Sequence, residues 1–253
     1  MRQLRITNYS FKKILSDLYN DQSVYAAKNV ANSKANTLKI LLCIADKFTT
    51  GKSYLCTAII DEITLKNEKY KTIIIDGVHF SEQYVYAVRT TTQAQFFANF
   101  EHLSVFVCDN VNQLCKKQGS QLALSRNMNV FLSNKEQIVL TSQIPIENIK
   151  ITNADLGNIF KTCINVTLPA PNKNLIKQFI YKYFEIEKQI LTDELYNKIV
   201  NSNCENFGVI VANCVTLAYR AEPNFSIRSF PKWGNLKWQI ATNLYVSVKP
   251  KKN

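Results

Sequence analysis

Histidine is nearly missing from this chain: His79 and His102 are the only two among 253 residues. An imidazole-built metal centre is therefore not expected. The seven cysteines are odd in number, sit mostly inside apolar runs and never form a C-x-x-C pair. That pattern suits buried thiols in a reducing compartment rather than disulfides or a structural zinc. No unbroken apolar run approaches the roughly 20 residues of a membrane span, and the start, MRQLRITNYS, lacks the apolar core of a signal peptide. The expectation is a cytoplasmic protein with no membrane contact. Acidic residues are also few, 19 against 31 basic ones, which leaves a net charge of +12 and a pI near 9.3. Such a balance favours anionic partners, nonspecific nucleic acid among them. The lysines are spread widely rather than clustered, so an A/T-rich coding bias explains the charge equally well. Arginine has a gap of its own: none occurs between Arg126 and Arg220. No internal repeat or low-complexity segment is visible.

What is present is a core. At 46% hydrophobic the chain can bury one large domain or two small ones. The stretch that organises it is Leu38 to Tyr54, LKILLCIADKFTTGKSY. An apolar run, Leu38 to Ala45, reads as a fully buried strand; a polar loop, Gly51-Lys52-Ser53 and a helix-like segment follow. This is the order of a phosphate-binding P-loop, G-x-x-x-x-G-K-[ST]. There, backbone N–H groups and the positive end of a helix face a polyphosphate, the lysine reaches the outer phosphates and the hydroxyl ligates Mg²⁺. Asp46, Thr50, Gly51, Lys52, Ser53 and Tyr54 are accordingly the expected residues for ATP or ADP, with Ser53 on the metal. The first glycine of the pattern is replaced by Asp46, five residues before Gly51. That carboxylate either repels the triphosphate or points outward and caps the next turn.

Along the chain the pattern divides into residues 1–37, an N-terminal peptide with an amphipathic helix around Phe11 to Tyr19; 38–168, an α/β core; 169–221, a small helical lid; and 222–253, a basic aromatic tail. Further strands are expected at Lys71 to Asp76, Ser104 to Asp109, Gln137 to Ser142 and Thr162 to Leu168, alternating with helices. Alternation of this kind predicts a five-stranded, mainly parallel sheet covered on both faces. Beyond Pro169 and Pro171 the expected elements are helices, at Asn174 to Glu185, Thr192 to Val200 and Phe207 to Tyr219. In the tail, Arg228, Lys232 and Lys237 alternate with Phe230, Trp233 and Trp238, which either stack on bases or pack on the lid.

An ATPase of this class needs a carboxylate ending its third strand to hold Mg²⁺, and Asp109 fills that place. A second acid usually follows to orient water; here the position holds Asn110, which is a poor base. Thr141 and Ser142, ending the fourth strand, are the candidates for a polar group that senses the γ-phosphate. An arginine should meet the charge that develops on the transferred phosphoryl group, yet Asp155 to Lys161 offers only Lys161.

The motif order, sheet and lid resemble those of AAA+ P-loop ATPases, which have a three-layer sandwich and a C-terminal helical lid. GKSYLCTAI, EHLSVFVCDNV and QIVLTSQIP resemble the DnaA/Hda family of bacterial replication initiators and their truncated regulators. His102-Leu103-Ser104 ahead of Asp109-Asn110 is more similar to the Hda branch. Arg2-Gln3-Leu4-Arg5-Ile6 is similar to the clamp-binding peptide at the N-terminus of Hda proteins, which makes Gln3, Leu4 and Ile6 the expected clamp contacts. The resemblance also implies a finger arginine where this chain has Ile159 and a lid arginine where it has Gly208. The function it implies is regulation of chromosomal replication initiation through binding of a DnaA-type initiator and the DNA sliding clamp, with weak or absent ATP hydrolysis. The alternatives are a helicase loader of the DnaC or IstB type, and a non-enzymatic nucleic-acid binder using the basic tail.

Overall fold

The structure, a computed structural model, describes residues 22–32, 41–45, 51–66, 69–168, 172–187, 190–202, 204, 209–210, 212–214 and 216–217. Five strands, β1 (Leu41–Ala45), β2 (Thr72–Asp76), β3 (Val105–Asp109), β4 (Gln137–Ser142) and β5 (Ile164–Thr167), form one sheet in the order β2-β3-β4-β1-β5. Every pairing in it is parallel. Parallel neighbours need crossover connections, and helices supply them: α2 (Lys52–Lys66), α3 (Gly77–Arg89), α4 (Gln93–Ala98), α5 (Gln118–Ser133) and α6 (Ala154–Lys161).

β3 and β4 are buried at every position, which is why VFVCD and QIVL read as continuous apolar runs rather than alternating ones. The pleat sends their side chains to opposite faces in turn. Phe106, Ile138 and Leu140 join Phe80, Phe96, Met128 and Phe131 under α3 to α5. Val105, Val107 and Val139 join Leu55, Cys56 and Ile59 under α2. The result is the three-layer α/β sandwich expected from the alternation of elements.

Residues 1–37 are not wholly separate from the α/β core, contrary to the division expected from the sequence. A helix, α1 (Gln22–Asn32), buries Val24, Ala27, Val30 and Ala31 in the same apolar layer as α2. Lys66 ties the two together, donating to Ala31 O at 3.1 Å and to Asn32 Oδ1. The 3.6-residue period is there, but it is written in small residues. The helix expected around Phe11 to Tyr19 lies outside the described residues, as do residues 38–40, 169–171 and 222–253.

Helices α7 (Lys173–Glu187) and α8 (Asp193–Val200) share a separate apolar cluster, in which Ile180, Phe184, Leu195 and Ile199 meet Ile210 and Cys214. Thr192 caps α8 by accepting from Leu195 N at 3.2 Å, the role its position predicts. Residues 209–210, 212–214 and 216–217, within the third expected helix, are helical. Among the described residues, no helix is long and apolar enough to cross a membrane.

One buried amide braces the far side of the strand ends. Gln121 on α5 donates from Nε2 to Leu114 O at 2.9 Å, and its Oε1 accepts from Thr152 N and Asn153 N at 2.9 and 3.2 Å. The segments after β3 and before α6 are thereby tied to a single helix, with a buried polar group fully satisfied.

Candidate functional site

Gly51 has φ 105°, a left-handed conformation in which a side chain is strained. It delivers the chain into α2, whose first turn closes with Leu55 N donating to Gly51 O at 2.9 Å. Lys52 and Ser53 open that helix, where backbone N–H groups lack intrahelical partners and the helix dipole is positive. Lys52 is buried, 7% exposed, and Ser53 is half-buried. Tyr54 follows in the same turn. Asp46 and Thr50 lie outside the described residues, and so do Gln3, Leu4, Ile6 and Gly208.

The strand tips come next. Ser53 Oγ donates to Asp109 Oδ2 at 2.7 Å, and Thr141 Oγ1 donates to Asp109 Oδ1. Thr141 in turn accepts from Asn110 N at 2.9 Å. Asp109 is 3% exposed and Thr141 is fully buried, so this carboxylate is lodged between two hydroxyls from two other elements. The structure thus separates the two sensor candidates: Thr141 faces Asp109, whereas Ser142 accepts from Ile144 N at 3.1 Å and donates to Asn112 Oδ1 at 3.4 Å. Successive residues of a strand point to opposite faces, so only one of the pair could reach the carboxylate.

Asp76 was not singled out from the sequence, although it belongs here. It ends β2 in register with Asp109, accepts from Val78 N at 2.8 Å as the cap of α3, and accepts from Asn110 Nδ2 at 2.9 Å. The available signal was a carboxylate closing an apolar strand immediately before a helix. Cys108, the residue before Asp109 on β3, has its thiol pushed well above its ordinary range by burial and then by the charges of Asp76 and Asp109. It keeps its proton and adds no charge to the site.

The arginine-poor side is different. Ile159, where the resemblance implies a finger arginine, lies in the apolar layer with Leu156 and Phe160. The solvent-facing positions of α6 include Asp155, Asn158 and Lys161. A cation projecting from this helix could come from Lys161, but not from position 159.

Residues 6–167, more than half of the chain, match the model of the bacterial DnaA ATPase domain. The chain belongs to that family. Its similarity to the chromosomal replication initiator protein DnaA of Streptococcus pyogenes (serotype M5, strain Manfredo) is 26% identity over 197 residues, which is 76% of this chain and 41% of that protein. The chain therefore spans about two fifths of the length of the curated relatives it matches. Among solved structures, domain III of the Thermotoga maritima replication initiation protein DnaA superposes with a TM-score of 0.77 at 20% identity, covering 92% of this chain and 97% of that one. The replication initiator DnaA bound to AMPPCP and single-stranded DNA gives 0.72 at 17%, covering 96% and 75%. These likenesses confirm the AAA+ fold of the DnaA family.

Proposed function

We propose that this chain is a nucleoside-triphosphate-binding regulatory module of bacterial replication initiation, which acts mainly through the proteins it holds and hydrolyses nucleotide weakly. The observation that carries the reading is the closed set of hydrogen bonds from Ser53 and Thr141 to Asp109, with an amide, Asn110, in the next position. Membership of the DnaA family and the AMPPCP named for a solved relative support it.

Magnesium fits the residues present. No group of three or more His, Cys, Asp and Glu side chains among the described residues could hold a metal by itself. Ser53 and Asp109, however, place two hard oxygen donors 2.7 Å apart. That set suits Mg²⁺, which keeps waters and phosphate oxygens as its remaining ligands. Ser53 and Asp109 would hold the ion, whose chemistry there is to neutralise charge on the outer phosphates. Lys52, at the positive end of α2, binds the same phosphates; Thr141 keeps the Asp109 carboxylate oriented. Asn110 cannot accept a proton from water, and α6 offers no arginine to the phosphoryl group, so turnover is slow.

The partners in this reading are a DnaA-type initiator and the DNA sliding clamp, the latter through Gln3, Leu4 and Ile6. Nonspecific nucleic acid is a further partner, favoured by the net charge of +12 and by the single-stranded DNA named for the solved relative. The helicase-loader alternative rests on a shared fold alone. Calorimetric titration with ATP and Mg²⁺ tests the nucleotide claim: saturable binding is expected, weakened in Lys52→Ala by about 10- to 100-fold, the worth of one charged hydrogen bond. Equal binding by the two proteins would overturn it. For the partners, co-purification with the initiator or the clamp is expected for the full chain, and for the clamp its loss in a Gln3→Ala/Leu4→Ala variant.

A further inference from the structure

Asp109 has a neighbour of its own kind. Asp76 is its register partner on β2, so their backbones lie one strand spacing apart, about 4.8 Å. Its two oxygens are used differently. Oδ1 accepts from Val78 N, which is all that capping α3 requires, while Oδ2 turns to the strand tips and accepts from Asn110 Nδ2.

The backbone is shaped to keep this pair together. Asn110 sits at φ 53°, ψ 47°, a conformation that asparagine tolerates better than most side chains. Its N–H is fixed by Thr141 and its Oδ1 accepts from Gln143 Nε2 at 3.4 Å. A Cβ on Gly77 would stand 2.7 Å from Asn110 O, so the residue after Asp76 must be glycine for the two segments to approach this closely. An N-cap alone needs none of these arrangements.

We infer that Asp76 is the acid of the site, displaced by one strand from the position Asn110 occupies, and that Asn110 is the positioning residue that aims the Asp76 carboxylate at the attacking water. The inference rests on the nucleotide-binding reading above and accounts for the residual turnover. In the step, the water oxygen forms a bond to the terminal phosphorus of a nucleoside triphosphate. The bond from that phosphorus to the bridging oxygen breaks, and its electron pair leaves with the nucleoside diphosphate. The water's proton passes to Asp76, whose carboxylate oxygens each keep a lone pair beyond their present hydrogen bond, and inorganic phosphate is released.

Asp76→Asn isolates the acid from the cap, because asparagine caps a helix as well as aspartate does. The assay uses the full chain in excess over radiolabelled ATP, with ATP affinity measured in parallel by calorimetry. Wild type is expected to turn over above a Lys52→Ala background. Asp76→Asn is expected to lose about 100-fold of that rate, the lower end of what a general base contributes, with ATP affinity held. The exchange Asp76→Asn/Asn110→Asp rebuilds the carboxylate–amide pair in reverse and is expected to recover the rate. Binding of ADP with aluminium fluoride should weaken and recover in the same order. The inference is overturned if ATP-bound wild type is no faster than the background, if Asp76→Asn is as fast as wild type, or if rate and affinity fall together and the exchange recovers neither. All three outcomes leave the nucleotide reading in place; only failure of wild type to bind ATP removes both.

Discussion

On the α2 side of the strand tips, Ser53, Asp109, Thr141 and Asn110 are joined by hydrogen bonds that span three elements. On the α6 side, Ile159 is core and Lys161 faces solvent. The difference follows from what each side does for folding. Asp109 and Thr141 are buried, so removing either leaves a polar group without its partner, at a cost of about 1–3 kcal/mol. A cation on the exposed face of α6, such as Lys161, has no such role, and its loss costs the fold little. The Asp109 cluster is therefore held in place by stability whatever its use, whereas the exposed face of α6 is under no such constraint.

The sharpest way to break this comparison is to restore charge on the α6 side. Ile159→Arg would place an unpaired guanidinium in the apolar layer, and a loss of about 3–5 kcal/mol is expected in denaturant unfolding. Asn158→Arg, one residue earlier and exposed, should stay within about 0.5 kcal/mol of wild type. A well-folded Ile159→Arg protein with raised ATP turnover would show that α6 is a live catalytic element and end the contrast.

Thr141→Val tests the other side. The valine fills the same space but deprives Asp109 of a donor and Asn110 N of an acceptor, and a loss of about 1–3 kcal/mol in urea titration is expected. An unchanged unfolding midpoint would mean that the Asp109 cluster is not held by the fold.

The smallest effect sharpens the comparison within α2 itself, between its N-terminal end at the strand tips and its middle. Burial raises the Asp61 carboxyl from 3.8 to about 6. The folded state therefore holds a proton that the unfolded state has released, and stability present below pH about 4 is lost as pH rises through about 6. Asp61→Asn should match wild type at acid pH and exceed it at neutral pH in urea midpoints. A difference of the same size at both ends of the range would refute that cause.

How much of this was legible in the sequence depended on what each residue had to satisfy. β3 and β4 were plain because burial on both faces leaves unbroken apolar runs. The helix α1 was missed because its buried face is made of Val24, Ala27, Val30 and Ala31, which carry little hydrophobic signal. The start of α3 at Gly77 is not marked locally, because that glycine is required by the approach of Asn110 O rather than by helix propensity. That Lys52 and Ser53 open a helix, and that Asp109 and Thr141 stand at strand ends, followed from spacing. The choice between Thr141 and Ser142 needed the pleat, and the link from Asp76 to Asn110 needed the strand register, neither of which is written locally.

The proposed role requires that nucleotide be held and hydrolysed slowly. Calorimetric affinity and single-turnover rate for ATP with Mg²⁺, measured on one preparation of wild type and one of Lys52→Ala, test that directly. The expected result is saturable binding that depends on Lys52, with turnover well below about 0.01 s⁻¹, the order reached by proteins that carry their arginine in cis. No Lys52-dependent binding, or turnover at or above that rate, would contradict it.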